Sequence, residues 1–122
     1  MIEYVARSGP PEAMNCPAFI CDACRKQVVG AGIVTWSTTI GRDHDQHRQS
    51  PLYVAHKGIC GRKVEAMLHA SYPHADGWVD LWDDIADFVR QLTHNATEAF
   101  SDDPDGTYHR HTLTGARANG GK

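Results

Sequence analysis

Short apolar stretches separated by polar, proline-rich or glycine-containing segments in the first part of the chain predict short strands and loops. IEYVAR, which starts at Ile2, could form a short strand or a frayed end. Residues 8–17 contain three prolines and one glycine, so they are predicted to form a linker or loop. Residues 27–36 are rich in β-branched side chains and are interrupted by Gly30 and Gly32, which predicts two short strands with a turn or bulge.

The middle of the chain predicts a loop, a strand and a helix, in that order. Residues 37–51 are mostly polar and predict the loop, and LYVA predicts a strand that leads directly into His56. The segment 57–70 predicts a helix because apolar side chains recur at positions i, i+4, i+7 and i+8 and therefore share one face. These side chains are Cys60, Val64, Met67 and Leu68. Pro73 and Gly77 then predict a break after this helix.

A second, amphipathic helix is predicted over residues 78–92, with Asp76 as its N-cap. Its apolar stripe repeats at helical spacing. The aspartates on the opposite side could suggest a divalent-metal site, but the solvated face of a helix is the simpler interpretation. The stripe consists of Trp78, Leu81, Trp82, Ile85, Phe88, Val89 and Leu92, and the acidic side of Asp80, Asp83, Asp84 and Asp87.

These elements divide the chain into three predicted parts. Residues 1–17 form an N-terminal extension or linker, residues 18–98 a domain that ends with the amphipathic helix, and residues 99–122 a disordered tail with almost no core-forming side chains. The chain has 122 residues, of which 41% are hydrophobic and 22% charged. Such a composition fits a single globular domain.

Composition and charge narrow the expected setting of the protein. No apolar run is long enough to cross a membrane, and the N-terminus lacks a secretion signal, so a cytoplasmic location is expected. There, four cysteines suggest metal ligation or core packing more than disulfides. Residues 1–75 carry eight Lys/Arg and six Asp/Glu, a net charge of +2, whereas residues 76–122 carry four and nine, a net charge of -5. Neither part indicates a broad phosphate-attracting surface.

Two pairs of potential metal ligands lie in the predicted elements. Cys21-Asp-Ala-Cys24 can hold one ion because a tight turn directs both sulfurs inward. His56 and Cys60 are four residues apart and share a face where the helix begins. Three thiolates and one imidazole make a tetrahedral set suited to zinc. The sequence therefore predicts a zinc site formed by these four residues.

Other interpretations of the cysteines stay open. They could be buried free thiols beside an unrelated histidine, or the Cys-x2-Cys pair could be a thioredoxin-like redox motif, which the missing βαβ context disfavours. Cys16 could replace His56 as a ligand or bind a second ion with Cys60. Pro17 and the spacing from the Cys-x2-Cys pair instead favour a spare thiol in a loop.

The order of a Cys-x2-Cys knuckle, a β-hairpin and a helix with the last two ligands in its first turn resembles the treble-clef zinc finger. The resemblance covers about residues 19–70, and the insertion at 37–50 departs from the most compact members. The chain is also similar to small zinc proteins of actinobacteria and their phages, which share a CDxC knuckle, a later strand running into HxxxC and a C-terminal helix. The expected fold is α+β, a small zinc-stabilised treble-clef-like domain with an added amphipathic C-terminal helix.

Histidines outside the ligand pairs raise the question of catalysis. Treble-clef nucleases of the His-Asn-His (HNH) type use a catalytic histidine beside a metal-binding residue, and here His44 or His47 could be the base and His69 or His74 a ligand. The spacing does not match that motif well, and four protein ligands leave the zinc no position for a catalytic water. A solvated polar loop is the simpler interpretation of His44 and His47. An HNH-like nuclease, or any enzyme, is therefore not favoured.

The predicted function is binding. The stripe on helix 78–92 is wide for packing on so small a domain, so part of it is expected to contact a protein partner or a second copy. An adaptor, for instance a phage or bacterial accessory protein, would fit this role. The alternative is a nucleic-acid-binding, possibly regulatory protein with a basic patch around the ligand pairs, which the acidic C-terminal half would oppose. The patch consists of Arg25, Lys26, Lys57, Arg62 and Lys63.

Overall fold

Strand β3, Gly32–Thr39, runs through the middle of the main sheet and organises the elements around it. The structure is a computed structural model that describes residues 1–6, 15–39, 48–106 and 112–113. In these residues the elements are, in order, β1 (Ile2–Ala6), β2 (Asn15–Phe19), β3, β4 (Arg48–Gln49), β5 (Tyr53–His56), α1 (Ile59–Ser71), a 3-10 turn (His74–Asp76), β6 (Trp78–Asp84), α2 (Ile85–Thr97) and β7 (Thr112–Leu113). This part of the chain is a small mixed α/β structure with two sheets and two helices.

Both edges of β3 are hydrogen-bonded to neighbouring strands. Strand β6 pairs with it antiparallel along seven residues, from Ile33 opposite Asp84 to Thr39 opposite Trp78. On the other edge β5 pairs with the first half of β3 and β4 with the second half, and β7 runs parallel to β4. Strands β1 and β2 form a separate antiparallel pair that ends directly before the Cys-x2-Cys segment.

Successive side chains of β3 point to opposite faces of the sheet, and both faces are covered. On one face Ile33 lies next to α1 at Gly61, and Val64 and Leu68 of this helix are almost completely buried. On the other face Val34 lines a cavity of about 130 Å³ together with Phe19 of β2 and Phe88 of α2. Burial of such side chains contributes about 1.5–3 kcal/mol each, so the sheet and α1 form the stable centre of the fold.

The prediction of a helix over residues 78–92 is wrong for its first half. Trp78–Asp84 is a strand, and α2 begins only at Ile85, directly after Asp84 in extended conformation. Tryptophan and valine also favour strands, and seven residue pairs with β3 satisfy backbone groups that a helix would have bonded internally. Tertiary pairing therefore decided between two patterns that this segment fits equally well. Asp76, predicted as the N-cap, lies in the 3-10 turn.

Other elements differ from the predictions at their boundaries. The helix predicted over 57–70 is confirmed as α1, although Met67 on its predicted inner face is 40% exposed. Residues 27–36 contain the start of one strand, not two short strands. This strand, β3, begins at Gly32 and continues to Thr39, past the predicted start of the loop at residue 37. The strand before His56 is confirmed as β5.

Parts of the predicted linker and of the predicted tail form strands. Strand β2 begins at Asn15, inside the predicted linker, and Thr112–Leu113 of the predicted tail pairs with β4. Residues 7–14 and most of the tail lie outside the described residues, as do His44 and His47. The division into 1–17, 18–98 and 99–122 stays a prediction. Among the described helices, none is both long enough and apolar enough to cross a membrane.

Candidate metal centre

The Cys-x2-Cys segment forms a tight turn between β2 and the approach to β3. The Cys21 N–H donates to the Lys26 carbonyl at 2.9 Å, and the Arg25 N–H donates to the Cys21 carbonyl at 2.9 Å. Arg25 has a φ of 65°, a left-handed conformation that closes the turn. The N–H groups of Ala23 and Cys24 point at the Cys21 sulfur, at 3.4 and 3.5 Å. The turn therefore surrounds one sulfur with donors and brings the second cysteine to the same side.

His56 and Cys60 lie on either side of the junction between β5 and α1. His56 is the last residue of β5, where it pairs with Gly32 of β3. Gly58 has a φ of 92°, and α1 begins at the next residue, so Cys60 lies in the first helical turn. A residue with a side chain rarely adopts the Gly58 conformation, which makes this glycine the hinge between the two ligands.

The four predicted ligand residues come together in space. One ligand atom from each of Cys21, Cys24, His56 and Cys60 lies within 4.8 Å of the others. The Cys24 sulfur is 3.5 Å from the His56 Nδ1 atom. A tetrahedral zinc with Zn–S of about 2.3 Å and Zn–N of about 2.0–2.1 Å would place such atoms about 3.5–3.8 Å apart. The donor set and this spacing fit one tetrahedral ion, and the cluster could hold a metal.

A backbone carbonyl sets which nitrogen of His56 faces the cysteines. The His56 Nε2 atom lies 3.1 Å from the Gln27 carbonyl, which can only accept a hydrogen bond. Nε2 therefore carries the proton in the neutral ring, and the lone pair of Nδ1 faces the sulfurs. Metal-binding histidines usually have such a partner for their second nitrogen. Sequence inspection did not identify Gln27, because the contact depends on the pairing of strands.

The pKa values of the Cys21 and Cys60 thiols are shifted in opposite directions. Burial raises the pKa of Cys21, but hydrogen bonds from the backbone N–H groups of Cys24, His56 and Ala23 outweigh this effect and lower it to about 6. For Cys60, desolvation and then the hydrogen bonds and charges of Cys21 and Cys24 raise the pKa to about 11. Adjacent thiolates repel one another, so a bound cation is what would allow all three to be ionised together.

A carboxylate ties the cysteine turn to the strand that carries His56. The Asp22 Oδ2 atom accepts a hydrogen bond from the Val54 N–H at 2.7 Å, and the Asp22 N–H donates to the Val54 carbonyl at 2.7 Å. Val54 is buried in β5, two residues before His56. These two bonds fix the distance between the ligand pairs, a role of the CDxC aspartate that its sequence position does not indicate.

The remaining predicted site residues are dispersed. Cys16 lies in β2 opposite Val5 and is not part of the cluster. The acidic residues of the predicted helix do not form one group. Asp84 pairs with Lys57, and Asp87 pairs with Arg90. Asp80 instead joins His69 and His74 in a second cluster, which sequence analysis missed because Asp80 was placed on a helix.

Comparisons of the chain with protein-family models, with curated proteins and with solved structures found no match in any of the three.

Proposed function

We propose that the protein is a structural zinc module of the treble-clef type that acts as a non-catalytic interaction or adaptor protein. The observation that carries the proposal is the convergence of three thiols and one imidazole from two segments more than 30 residues apart in sequence, shown by the 32-residue separation of Cys24 and His56. Three thiols and one imidazole that converge within ligand distance are the donor set of a structural zinc site.

The donor set supports zinc in a structural role. Three sulfurs and a nitrogen suit zinc by softness and by tetrahedral geometry. Four protein ligands leave no open position for a water molecule, which a catalytic zinc requires. A redox pair is less well supported, because His56 and Cys60 lie beside both cysteines of the turn.

The order of elements supports the treble-clef assignment. The knuckle at Cys21 is followed by β3 and β5, which pair antiparallel as a hairpin with a long connection. Helix α1 follows with Cys60 in its first turn. This is the knuckle, hairpin and helix order that the sequence predicts.

Metal analysis tests the structural role. Purified protein should contain zinc at the four-residue cluster, and this ion should be lost, together with the cooperative unfolding transition, in the Cys21→Ser variant. Cys16→Ser is the matched control, since Cys16 lies outside the cluster, and it should keep the ion. A Cys21→Ser protein that folds normally, or wild-type protein without zinc, would contradict the proposal.

The surface proposed for a partner is a groove beside α2. No residue of α2 is completely buried, and Leu92 is 53% exposed. Leu92 lines a groove of about 300 Å³ with Trp36, Leu52 and Phe88, which we call the α2 groove. An apolar groove that the fold leaves open is typical of a surface that receives a side chain of another protein.

Charge indicates which protein segment the α2 groove would accept. Asp83 lines it, and the only other polar lining groups are the uncharged Gln49, Gln91 and Asn95, among the described residues. Residues 76–122 have a net charge of -5. Two copies would bring their acidic surfaces together, so an amphipathic segment with basic flanks from a different protein fits better than a second copy.

Two synthetic helical peptides with the same leucine face, one with lysine and one with glutamate flanks, test the α2 groove. The lysine peptide should bind, more weakly as salt rises, and should not bind the Leu92→Asp variant. Val29→Asp is the control because Val29 is 75% exposed and does not line the groove. Binding of neither peptide, or equal binding by Leu92→Asp, would reject this surface. A doubled mass in solution would assign it to a second copy.

Nucleic-acid binding is supported less well by the described residues. Arg25 pairs with Glu3 at 2.6 Å, and Lys57 pairs with Asp84 at 2.6 Å, so two of the five basic residues already contact carboxylates. Salt-sensitive DNA binding that is lost in a variant with both Arg62→Ala and Lys63→Ala would favour this alternative over a protein partner.

A further inference from the structure

A second cluster of potential ligand atoms lies at the C-terminal end of α1, at the opposite end from Cys60. His69 is in the last turn of α1, His74 begins the 3-10 turn, and Asp80 is in β6. One ligand atom of each lies within 4.8 Å of the other two. The two imidazole rings meet edge to face with their centroids 4.5 Å apart. Three separate elements therefore bring two nitrogens and one carboxylate to one place.

Asp80 is the fixed centre of this cluster. Its Oδ1 atom accepts a hydrogen bond from the Ser37 hydroxyl of β3 at 2.8 Å, which orients the carboxylate. Its Oδ2 atom contacts the Nε2 atom of His69 and lies 3.2 Å from the Nε2 atom of His74. The Asp80 side chain is only 19% exposed, whereas those of His69 and His74 are 42% and 60% exposed. The carboxylate is thus held rigidly from inside, and the histidines close over it from the surface.

We propose that His69, His74 and Asp80 form a second metal site, which binds a divalent transition ion and leaves coordination positions open to solvent. Two imidazoles and one carboxylate are the donors of open sites for ions such as Zn²⁺, Co²⁺ and Fe²⁺. Metal–nitrogen bonds of about 2.0–2.1 Å place neighbouring ligand atoms about 3 Å apart. The separation of 3.2 Å between Asp80 and His74 has this size. The exposed histidines can rotate to admit the ion.

The surroundings leave room for the open positions. A cavity of about 690 Å³ adjoins the cluster and is lined by His74, Asp80, Glu65 and Trp82, among other residues. Glu65, one of these lining residues, lies one helical turn before His69 on α1. Water molecules or a small anionic ligand could complete the coordination here. The cluster of Cys21, Cys24, His56 and Cys60, which we call the cysteine cluster, differs because four protein atoms would fill its tetrahedron.

Equilibrium dialysis against Co²⁺, followed by elemental analysis, tests the second site. The wild type should bind two ions per chain, and His74→Ala and Asp80→Asn should each bind one. His94→Ala is the matched control, because His94 is a surface histidine paired with Glu98 outside the cluster, and it should bind two. A single ion in the wild type that His74→Ala keeps, or a second ion retained by His74→Ala, would overturn the proposal.

Folding of the variants does not confound this test. Asp80→Asn could disturb the contact with Ser37, but His74 is mostly exposed and lies in a short turn, so its truncation leaves the core intact. Ring nitrogen NMR signals of His69 and His74 should shift when Zn²⁺ is added, whereas those of His94 should not. Equal response of all three would indicate non-specific binding and reject the site.

The test also separates this site from the structural zinc proposed above. If the cysteine cluster held no ion, the wild type would bind one ion that His74→Ala loses and Cys24→Ser keeps. If only the second site were absent, the wild type would bind one ion that Cys24→Ser loses and His74→Ala keeps.

Discussion

The two ligand clusters are built in opposite ways. The cysteine cluster lies where β5 passes into α1, and its four residues come from the turn, the strand and the helix. In the cluster of His69, His74 and Asp80, the carboxylate lies on β6, which pairs with β3 along seven residues. Under the proposed function, the first cluster would need a metal for a stable fold, whereas the carboxylate of the second is held by the sheet and would stay in place without a metal. Removing each in turn should show this difference.

The largest expected effect follows removal of all metal. A strong chelator should unfold the protein, because a structural zinc contributes on the order of 10 kcal/mol in small domains and total stability is only about 5–15 kcal/mol. Far-UV circular dichroism with and without chelator measures the loss. The His74→Ala variant, read in the same way without chelator, should keep its folded signal. A folded, metal-free wild type would remove the asymmetry between the clusters.

A smaller effect is expected at the hinge between His56 and Cys60. Gly58→Ala should lower the free energy of unfolding by about 1–3 kcal/mol, because a Cβ atom meets no neighbour there but the φ of 92° is strained. The same change should weaken zinc binding in competition with a chelator. Gly106→Ala is the control, since Gly106 also has a positive φ of 69° but lies far along the chain. If both variants bound zinc as the wild type does, Gly58 would not position the ligands.

Ser37→Ala should affect the second cluster alone. Loss of the hydroxyl hydrogen bond to Asp80 should cost about 0.5–1.5 kcal/mol of stability and about 10–100-fold in Co²⁺ affinity at that cluster. Calorimetric titration of the zinc-loaded protein with Co²⁺ measures the affinity, and urea unfolding measures the stability. Zinc content at the cysteines should not change. Unchanged Co²⁺ affinity would show that Asp80 is held in place without Ser37.

The smallest expected effect is the pH response of Asp80. Burial acts to raise the pKa of this carboxyl, but hydrogen bonds from Ser37, His69 and His74 lower it overall. A group with a lowered pKa in the folded state stabilises the protein above its unfolded pKa of about 3.9 and loses that contribution as pH falls through the folded value. Urea unfolding should therefore show a steeper loss of stability below pH 4 in the wild type than in Asp80→Asn. Parallel curves would argue against the lowered pKa.

Much of the cysteine cluster could be predicted because the residue spacings that indicate it lie within short stretches of the sequence. Two pairs of ligands with short internal spacing, each at the end of a regular element, indicate a site before any tertiary contact is known. Helix α1 and strand β5 are likewise predicted by apolar spacing within a few residues. The contact of His56 with the Gln27 carbonyl could not be predicted, because strand pairing creates it.

The segment 78–84 shows why other features could not be predicted. Its apolar side chains fit a helical period, yet it is a strand because its seven residues pair antiparallel with β3. That choice also moves Asp80 from the outer face of a helix to the side of Ser37 and the two histidines. An error in one element therefore concealed a whole cluster.

The sequence by itself determined which four residues form the cysteine cluster, the helix that carries Cys60 and the acidic character of the C-terminal part, since each depends on residue type and short spacing. Only the tertiary structure decided that Trp78–Asp84 is a strand and that Asp80 meets His69 and His74. The physical reason is that backbone pairing and ligand convergence over long sequence separations depend on which surfaces meet, and that is settled by packing of the whole chain.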